Sequence, residues 1–152
     1  MSCLAKADID TLLDIETASF PAPWDRASFE RELAEETSHC LVLKKGHPEK
    51  PDRVIAYLCL RLHEAAMHIT NLAVDRPYRR RGVASFLLGY CLRLAKRHSL
   101  KKVLLEVGAS NHAAIALYRK MGFFEAGRHR GHYLETGEDA LVMTKEMAGT
   151  DT

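Results

Sequence analysis

The segment from Leu72 to Leu88 limits the possible folds more than any other part of the chain. An apolar run from Ile69 to Val74 ends at Asp75, and a proline follows two residues later, which predicts a strand that stops there. Apolar residues then recur at helical spacing from Gly82 to about His98, which predicts an amphipathic helix. A buried strand and a helix joined by a short basic turn are typical of an α/β architecture.

The basic turn, which we define as residues 79–85, has the chemistry to hold a diphosphate. Gly82 and Ala84 are small enough for a ligand to approach the backbone. The first amides of the helix lack partners within it, and the helix dipole makes that end electropositive. Arg79, Arg80 and Arg81 add guanidinium groups that suit phosphate. The spacing fits neither a Walker loop nor G-x-G-x-x-G. A helix start with solvated arginines is the alternative interpretation.

Periodicity in the rest of the chain predicts the element order α-α-β-β-β-α-β-α-β-β. The predicted helices cover residues 7–20, a segment capped by Asp25, 82–98, and a segment that Ser110 or Asn111 caps and that ends at Gly122. The predicted strands cover residues 40–45, 54–62, 66–74, 102–107, 123–130 and 140–146, with a surface loop at 46–52. We expect an α/β fold with a mixed, mostly antiparallel sheet, helices on both faces, and strand 102–107 parallel to strand 66–74. We expect residues 1–147 to form one domain and residues 148–152 to form a flexible tail.

Composition argues against several classes of protein. The formal net charge of +2 is too small to indicate nucleic-acid binding by itself. No apolar run approaches the ~20 residues of a membrane span, and the first residues, MSCLAKADID, show no apolar region of the kind found in signal peptides. We therefore expect a cytoplasmic protein, a monomer or weak dimer, that binds neither nucleic acid nor membrane.

The cysteine and histidine spacings do not suggest a metal site. The four cysteines, Cys3, Cys40, Cys59 and Cys91, form no C-x-x-C pair, and the eight histidines show no H-E-x-x-H spacing. We expect the cysteines to be reduced thiols, not a disulfide framework, and we expect no bound metal.

Three polar side chains are candidates for chemistry. Glu106 interrupts the apolar strand K-V-L-L-E-V, where a buried carboxylate must be paired or functional. Tyr118 lies on the apolar face of the following helix, where a core tyrosine with a satisfied hydroxyl is the commoner explanation. Asn111 precedes that helix and either caps it or presents its amide to a ligand at the carboxyl edge of the sheet.

Two motifs together resemble the GNAT acyltransferases. The run R-R-R-G-V-A matches their signature Q/R-x-x-G-x-G/A, and L-E-V-G-A-S-N-H-A-A-I-A-L-Y-R-K-M-G-F is similar to their second signature. F-P-A-P-W near the start and G-H-Y-L-E-T-G-E-D-A-L-V-M near the end are similar to the RimI-type enzymes, which acetylate the N-terminal alanine of a small-subunit ribosomal protein. The resemblance covers about residues 7–147.

The resemblance implies acetyl-CoA as cosubstrate and a splay between strands 66–74 and 102–107. Backbone groups of Leu72, Ala73 and Val74 would pair with the pantetheine arm, which Asn111 would also contact. The basic turn would hold the pyrophosphate through Arg79, Arg80, Arg81, Gly82, Val83, Ala84 and Ser85.

The same resemblance implies catalytic roles. Glu106 would be the general base, acting through water, and Tyr118 would return a proton to the coenzyme A sulfur. A backbone N–H near Val74 would stabilise the charge on the acyl oxygen. Trp24 and Tyr133 are candidates for binding the acceptor, a protein N-terminus. A Trp24 that only fills the core is the alternative interpretation.

Two departures from the family pattern affect the acceptor side. Gly108 replaces a residue that is commonly large, and Leu134 follows Tyr133 where proline is common. Three other functions stay open. The first is acetylation of lysine or small amines, and the second is non-catalytic binding of acyl-CoA. The third, with the weakest support, is nucleic-acid binding through Arg79–Arg81.

Overall fold

The computed structural model describes residues 1–133 and 137–147, and within them seven strands form one mixed sheet. The strands are β1 (Ser2–Cys3), β2 (Ser38–His47), β3 (Lys50–His63), β4 (Ala66–Val74), β5 (Lys102–Gly108), β6 (Phe124–Tyr133) and β7 (Glu138–Glu146). The helices are α1 (Ile9–Ser19), α2 (Arg26–Ala34), α3 (Val83–Arg97) and α4 (His112–Lys120). The spatial order of the strands is β1-β2-β3-β4-β5-β7-β6.

The sheet consists of two antiparallel halves joined by a short parallel seam. Strands β1 to β4 pair antiparallel, as do β5, β7 and β6. β4 and β5 pair in parallel, from Ala66 opposite Lys102 to Ile69 opposite Leu105. The predicted mixed, mostly antiparallel sheet and the parallel orientation of these two strands are confirmed.

The two faces of the sheet carry separate cores. Helices α3 and α4 cover one face, where Leu87, Cys91 and Tyr118 pack against residues such as Leu58 and Leu105. Helices α1 and α2 cover the other face, where Ile9, Leu12, Ile15 and Phe29 pack against residues such as Tyr57. Each helix places its apolar stripe on the sheet, so helices on both faces are confirmed.

A bulge in β4 changes which face its side chains occupy. Cys59 lies opposite Asn71 and Leu60 lies opposite Ile69, so Thr70 has no partner across the strand pair. Ile69 belongs to the α3 face, Asn71 faces α1, and Leu72 is again on the α3 face. The extra residue therefore brings a polar side chain to α1 at the point where the sheet opens.

The strand bounds differ from the prediction between β2 and β3. Residues 46–52 were expected to be a loop because Gly46, Pro48 and Pro51 are breakers. Instead β2 continues to His47 and β3 begins at Lys50, with these two residues paired. The ladder accommodates Gly46 in a register shift, which a single chain pattern does not reveal. The short β1 was not predicted, since two exposed residues carry no periodicity.

The prediction of four reduced cysteines was wrong. Cys40 and Cys59 lie opposite each other on β2 and β3 and form a disulfide, with Cα atoms 4.2 Å apart. They are 19 residues apart in sequence, and only the strand register brings them together. Cys3 is free and exposed, whereas Cys91 is free and buried. Burial raises the pKa of the Cys91 thiol to about 12, which keeps it protonated and unreactive.

None of the helices in the described ranges combines the length and the apolar character that a membrane span requires.

Candidate active site

The sheet opens where the pairing of β4 with β5 stops. The last paired residues are Ile69 and Leu105, yet β4 continues to Val74 and β5 to Gly108. Over these last residues the facing edges of the two strands diverge. The predicted splay between the strands is therefore present, and two cavities border it.

The large cavity, of about 340 Å³, passes through this opening from one face of the sheet to the other. Its walls come from α1 and the loop that follows it, from β4 and β5, and from α4. We call residues 20–25 the α1–α2 loop. The lining side chains used below are Glu16, Ser19, Trp24, Leu72, Glu106, Asn111, Tyr118 and Glu138.

Glu106 and Tyr118 both line the large cavity although they start from opposite faces of the sheet. Leu105 and Val107 face the α3 side, so Glu106 between them faces the α1 side. Tyr118 is in the α3-side core, with its ring centroid 5.9 Å from that of Phe123. Because the sheet is open here, both side chains reach the same space, and an acid–base pair can act across it. Their catalytic roles stay predictions.

Two histidines lie near Glu106. His129 Nε2 is 3.9 Å from Glu106 Oε1, and the Glu106 side chain is 28% exposed. His68 is half-buried, and burial lowers its pKa, an effect that the charge of Glu106 partly offsets. Water can therefore reach Glu106, as a base acting through water requires.

The large cavity is acidic. Its charged lining side chains are Glu16, Glu106 and Glu138, and the described lining residues include no lysine, arginine or histidine. Such a wall favours a cationic ligand, for example a protonated amine.

The sequence patterns did not identify Glu16 as a residue of the site. Its side chain is 1% exposed and accepts three hydrogen bonds: from the Tyr57 hydroxyl, from Asn71 Nδ2 at 2.8 Å and from the Trp24 backbone N–H at 3.0 Å. Burial, together with the charge of Glu16, raises the pKa of Tyr57. These bonds fix the α1–α2 loop against β3 and β4. Its position in the sequence could have indicated a buried carboxylate, because Glu16 lies in the apolar stripe of α1 between Leu12 and Phe20.

Trp24 is placed by α2 as well as by Glu16. Asp25 caps α2 by accepting a hydrogen bond from the Ser28 backbone N–H at 2.9 Å, and Trp24 packs on Phe29 with ring centroids 5.3 Å apart. The cap and the hydrophobic staple hold the tryptophan at the cavity wall. Trp24 thus packs against the α1-side core and lines the large cavity, and its role in binding an acceptor stays a prediction. Tyr133 ends β6, but its side chain and Leu134 lie outside the described residues, so their roles stay predictions.

The small cavity, of about 230 Å³, lies at the basic turn. Predicted cofactor residues that line it are Val74, Arg79, Arg80, Gly82, Val83, Ala84 and Ser85. The first hydrogen bond into α3 runs from the Phe86 N–H to the Gly82 carbonyl, so the three preceding amides have no partner within the helix. Two backbone positions in the turn are left-handed, Arg80 with φ +62° and Gly82 with φ +78°. This cradle fits a diphosphate.

The remaining predicted cofactor residues lie elsewhere. Leu72 and Asn111 line the large cavity. Asn111 Oδ1 also caps α4 by accepting a hydrogen bond from the Ala114 N–H at 3.3 Å, so capping and cavity lining hold together. The Ala73 side chain is in the α1-side core. The Arg81 guanidinium lies over the Tyr78 ring, 5.8 Å from its centroid.

Gly108 makes room for Glu138 at the cavity wall. A Cβ at residue 108 would approach Glu138 Oε1 to 3.0 Å, which is too close for an unshifted side chain. Glu138 Oε1 accepts a hydrogen bond from the Ser110 N–H at 2.5 Å. The departure from the family pattern therefore replaces a side chain with a carboxylate from β7.

Within the described ranges no cluster of three or more histidine, cysteine, aspartate or glutamate side chains has the geometry to hold a metal ion.

Residues 9–123 match the model of the Acetyltransferase (GNAT) family. The chain belongs to this family, and it is an acetyl-CoA-dependent N-acetyltransferase.

Two named relatives match the chain over most of its length. The chain is 36% identical, over 90% of its length and 87% of the relative's, to a Bacillus subtilis protein whose name provisionally assigns it as a ribosomal protein bS18-alanine N-acetyltransferase. It is 30% identical to the Escherichia coli ribosomal protein bS18-alanine N-acetyltransferase, with 94% of each chain covered. The crystal structure of the Escherichia coli enzyme superposes with a TM-score of 0.83 at 29% identity, covering 99% of this chain and 96% of the other.

More distant structures share the fold. Arabidopsis thaliana NAA60 in complex with acetyl-CoA superposes with a TM-score of 0.84 at 19% identity, with 97% of each chain covered.

Proposed function

We propose that this enzyme transfers the acetyl group of acetyl-CoA to the N-terminal α-amine of a protein, and that its acceptor is the N-terminal alanine of ribosomal protein bS18. The observation that carries the proposal is the single cavity through the open sheet, which both Glu106 and Tyr118 line. The names of the Bacillus subtilis and Escherichia coli relatives support the choice of acceptor. The same acceptor would place the enzyme in the cytoplasm.

The two cavities suit two substrates that approach from different sides. The basic turn and its helix amides fit the pyrophosphate, and the facing edge of β4 from Leu72 to Val74 fits the amide groups of the pantetheine arm. The acidic large cavity beside the α1–α2 loop fits an incoming ammonium group.

A weak base is sufficient for an α-amine. The attacking nitrogen must be neutral, and the reference pKa is ~7.7–8.0 for an α-amine but ~10.4 for lysine. Deprotonating lysine near neutral pH therefore costs about 3.5 kcal/mol more, from ~1.36 kcal/mol for each of ~2.5 pKa units. One carboxylate acting through water matches the α-amine better.

The proposed reaction uses two proton carriers. Glu106 takes a proton from the ammonium group through water, and the nitrogen lone pair then attacks the acyl carbon. A backbone N–H near Val74 stabilises the negative charge on the acyl oxygen. As the carbon–sulfur bond breaks, Tyr118 gives its proton to the sulfur and regains one from the new amide nitrogen. The products are the acetylated N-terminus, coenzyme A and one released proton.

Mass spectrometry with two peptides tests the proposal. One peptide has a free N-terminal alanine followed by the bS18 sequence, and the other has the same sequence with a blocked N-terminus and free lysines. We expect acetylation of the first alone. Acetylation of the blocked peptide would move the acceptor to lysine. No product on either, with acetyl-CoA still bound, would refute the assignment to a protein N-terminus.

A further inference from the structure

One arginine side chain connects the basic turn to the α1–α2 loop. Arg79 Nε–H donates a hydrogen bond to the Val74 carbonyl at 3.0 Å, and Arg79 Nη2–H donates to Ser19 Oγ at 2.8 Å. Ser19 is the last residue of α1, immediately before the loop. Residues 60 positions apart in sequence are thus joined directly.

The serine end of this connection is oriented. The Ser19 hydroxyl donates its hydrogen to the Ile15 carbonyl at 2.6 Å, which leaves an oxygen lone pair for the guanidinium. The loop is therefore held at two points, by Arg79 through Ser19 and by Glu16 through the Trp24 backbone.

The connection between Arg79 and Ser19 reaches both cavities. Arg79 lines the small cavity and Ser19 lines the large one. The Val74 carbonyl lies at the end of β4, where the facing strand edges have already diverged. Arg80, the next residue, lines the small cavity at the turn itself, which makes it a matched comparison with the same charge.

We propose that Arg79 is a positioning residue that couples the basic turn to the α1–α2 loop, so that its main effect is on acceptor binding. This inference rests on the proposed function, because it assigns the large cavity to the acceptor. The proposal gives Arg79 and Arg80 different roles. Arg79, which begins the R-x-x-G-x-A signature, positions the acceptor side, and Arg80 contributes charge to the diphosphate site.

Steady-state kinetics with the alanine peptide test the coupling. Ser19→Ala removes the loop end of the connection without touching the basic turn. We expect it to raise the KM for the peptide about tenfold, the loss typical of one charge-assisted hydrogen bond, and to leave the KM for acetyl-CoA within about twofold. Ser19→Thr retains a hydroxyl and restores the wild-type peptide KM.

The arginine variants supply the matched control. Arg79→Met raises the peptide KM as Ser19→Ala does, and the double variant is no worse than Arg79→Met alone, since both remove the same bond. Arg80→Met instead raises the KM for acetyl-CoA. An unchanged peptide KM in Ser19→Ala, or an Arg79→Met effect confined to acetyl-CoA, would overturn the proposal.

The single tryptophan of the chain, Trp24, gives a readout that needs no acceptor. Acrylamide quenching of Trp24 fluorescence should increase in Ser19→Ala and Arg79→Met and match the wild type in Ser19→Thr and Arg80→Met. If the wild-type enzyme acetylated no N-terminal peptide, the proposed function would fail while this measurement still decided the coupling. Equal quenching in all five proteins would refute it.

Discussion

The basic turn and the α1–α2 loop border the two cavities, but they depend on different ranges of sequence. Every residue of the turn lies between positions 79 and 85, and its amides come from the first turn of α3. The loop is held by Glu16, whose partners Tyr57 and Asn71 are 41 and 55 residues away. Polar groups that lie close together in one turn can be recognised as a motif, whereas a site built by distant contacts must be seen in three dimensions.

The largest expected effect is on kcat and concerns Glu106, which lines the large cavity between these two regions. Glu106→Gln keeps the shape of the side chain and removes the carboxylate that we propose as the base, so we expect kcat to fall by about 10²-fold or more, within the range for a general base. Coenzyme A binding, measured by calorimetry, should stay within twofold of the wild type, because both binding regions are intact. Tyr118→Phe retains the core packing and should also lower kcat. A wild-type kcat in Glu106→Gln would remove this residue from the mechanism.

Glu16→Gln tests the long-range region. A glutamine offers one acceptor oxygen where the carboxylate accepts three hydrogen bonds, so at least one buried donor loses its partner. We expect the free energy of unfolding to fall by about 1–3 kcal/mol, with a higher KM for the acceptor. Denaturant unfolding measures the first effect. Glu30→Gln, exposed on α2, is the control. Equal stability of the two variants would contradict the anchoring role of Glu16.

Gly82→Ala tests the local region. A Cβ at residue 82 would meet no atom within 4 Å, but φ is +78°, so the cost is backbone strain of roughly 1–2 kcal/mol. Gly89 lies within α3, where a Cβ would make ordinary contacts with Arg93 and Met121, and Gly89→Ala should stabilise the helix by up to ~1 kcal/mol. Opposite signs in thermal unfolding would confirm that the turn depends on its conformation. Stabilisation by both substitutions would show that it does not.

The smallest effect concerns His68 beside the opening. Its pKa is lowered in the folded protein because burial disfavours the imidazolium. The unfolded chain therefore binds the proton more readily, and stability present above the unfolded pKa of ~6.5 is lost as pH falls through it. We expect His68→Gln to lose less stability than the wild type between about pH 7 and 5. Identical pH slopes would contradict the burial effect.

Much of the fold could be predicted because most of its helices and strands have a recognisable pattern within their own residues. The helical stripe of α3, the apolar β4 and β5, and the glycine that follows α4 are all visible in the sequence. The disulfide between Cys40 and Cys59 and the extension of β2 to His47 depend on strand register. Register depends on which residues of two strands meet, and the local pattern of one strand does not reveal it.

The candidate site divides in the same way. Glu106, Tyr118 and the basic turn stand out as motif positions, and the structure brings them to the two cavities. Glu16 and the bonds of Arg79 to Ser19 and Val74 did not stand out. Each contact depends on which distant elements meet in the fold, and the residues next to a glutamate or an arginine in sequence do not indicate its distant partner.

The unpaired Thr70 has a consequence for the evolution of this strand. In a regular strand Ile69 and Asn71, two positions apart, would share a face, so the extra residue is what lets them face opposite cores. Deleting Thr70 alone would make Ile69 and Asn71 neighbours in a regular ladder and would leave the later residues of β4 on their present faces. A homologue with one residue fewer at this position can therefore keep both cores, and a gap at residue 70 is compatible with the same fold.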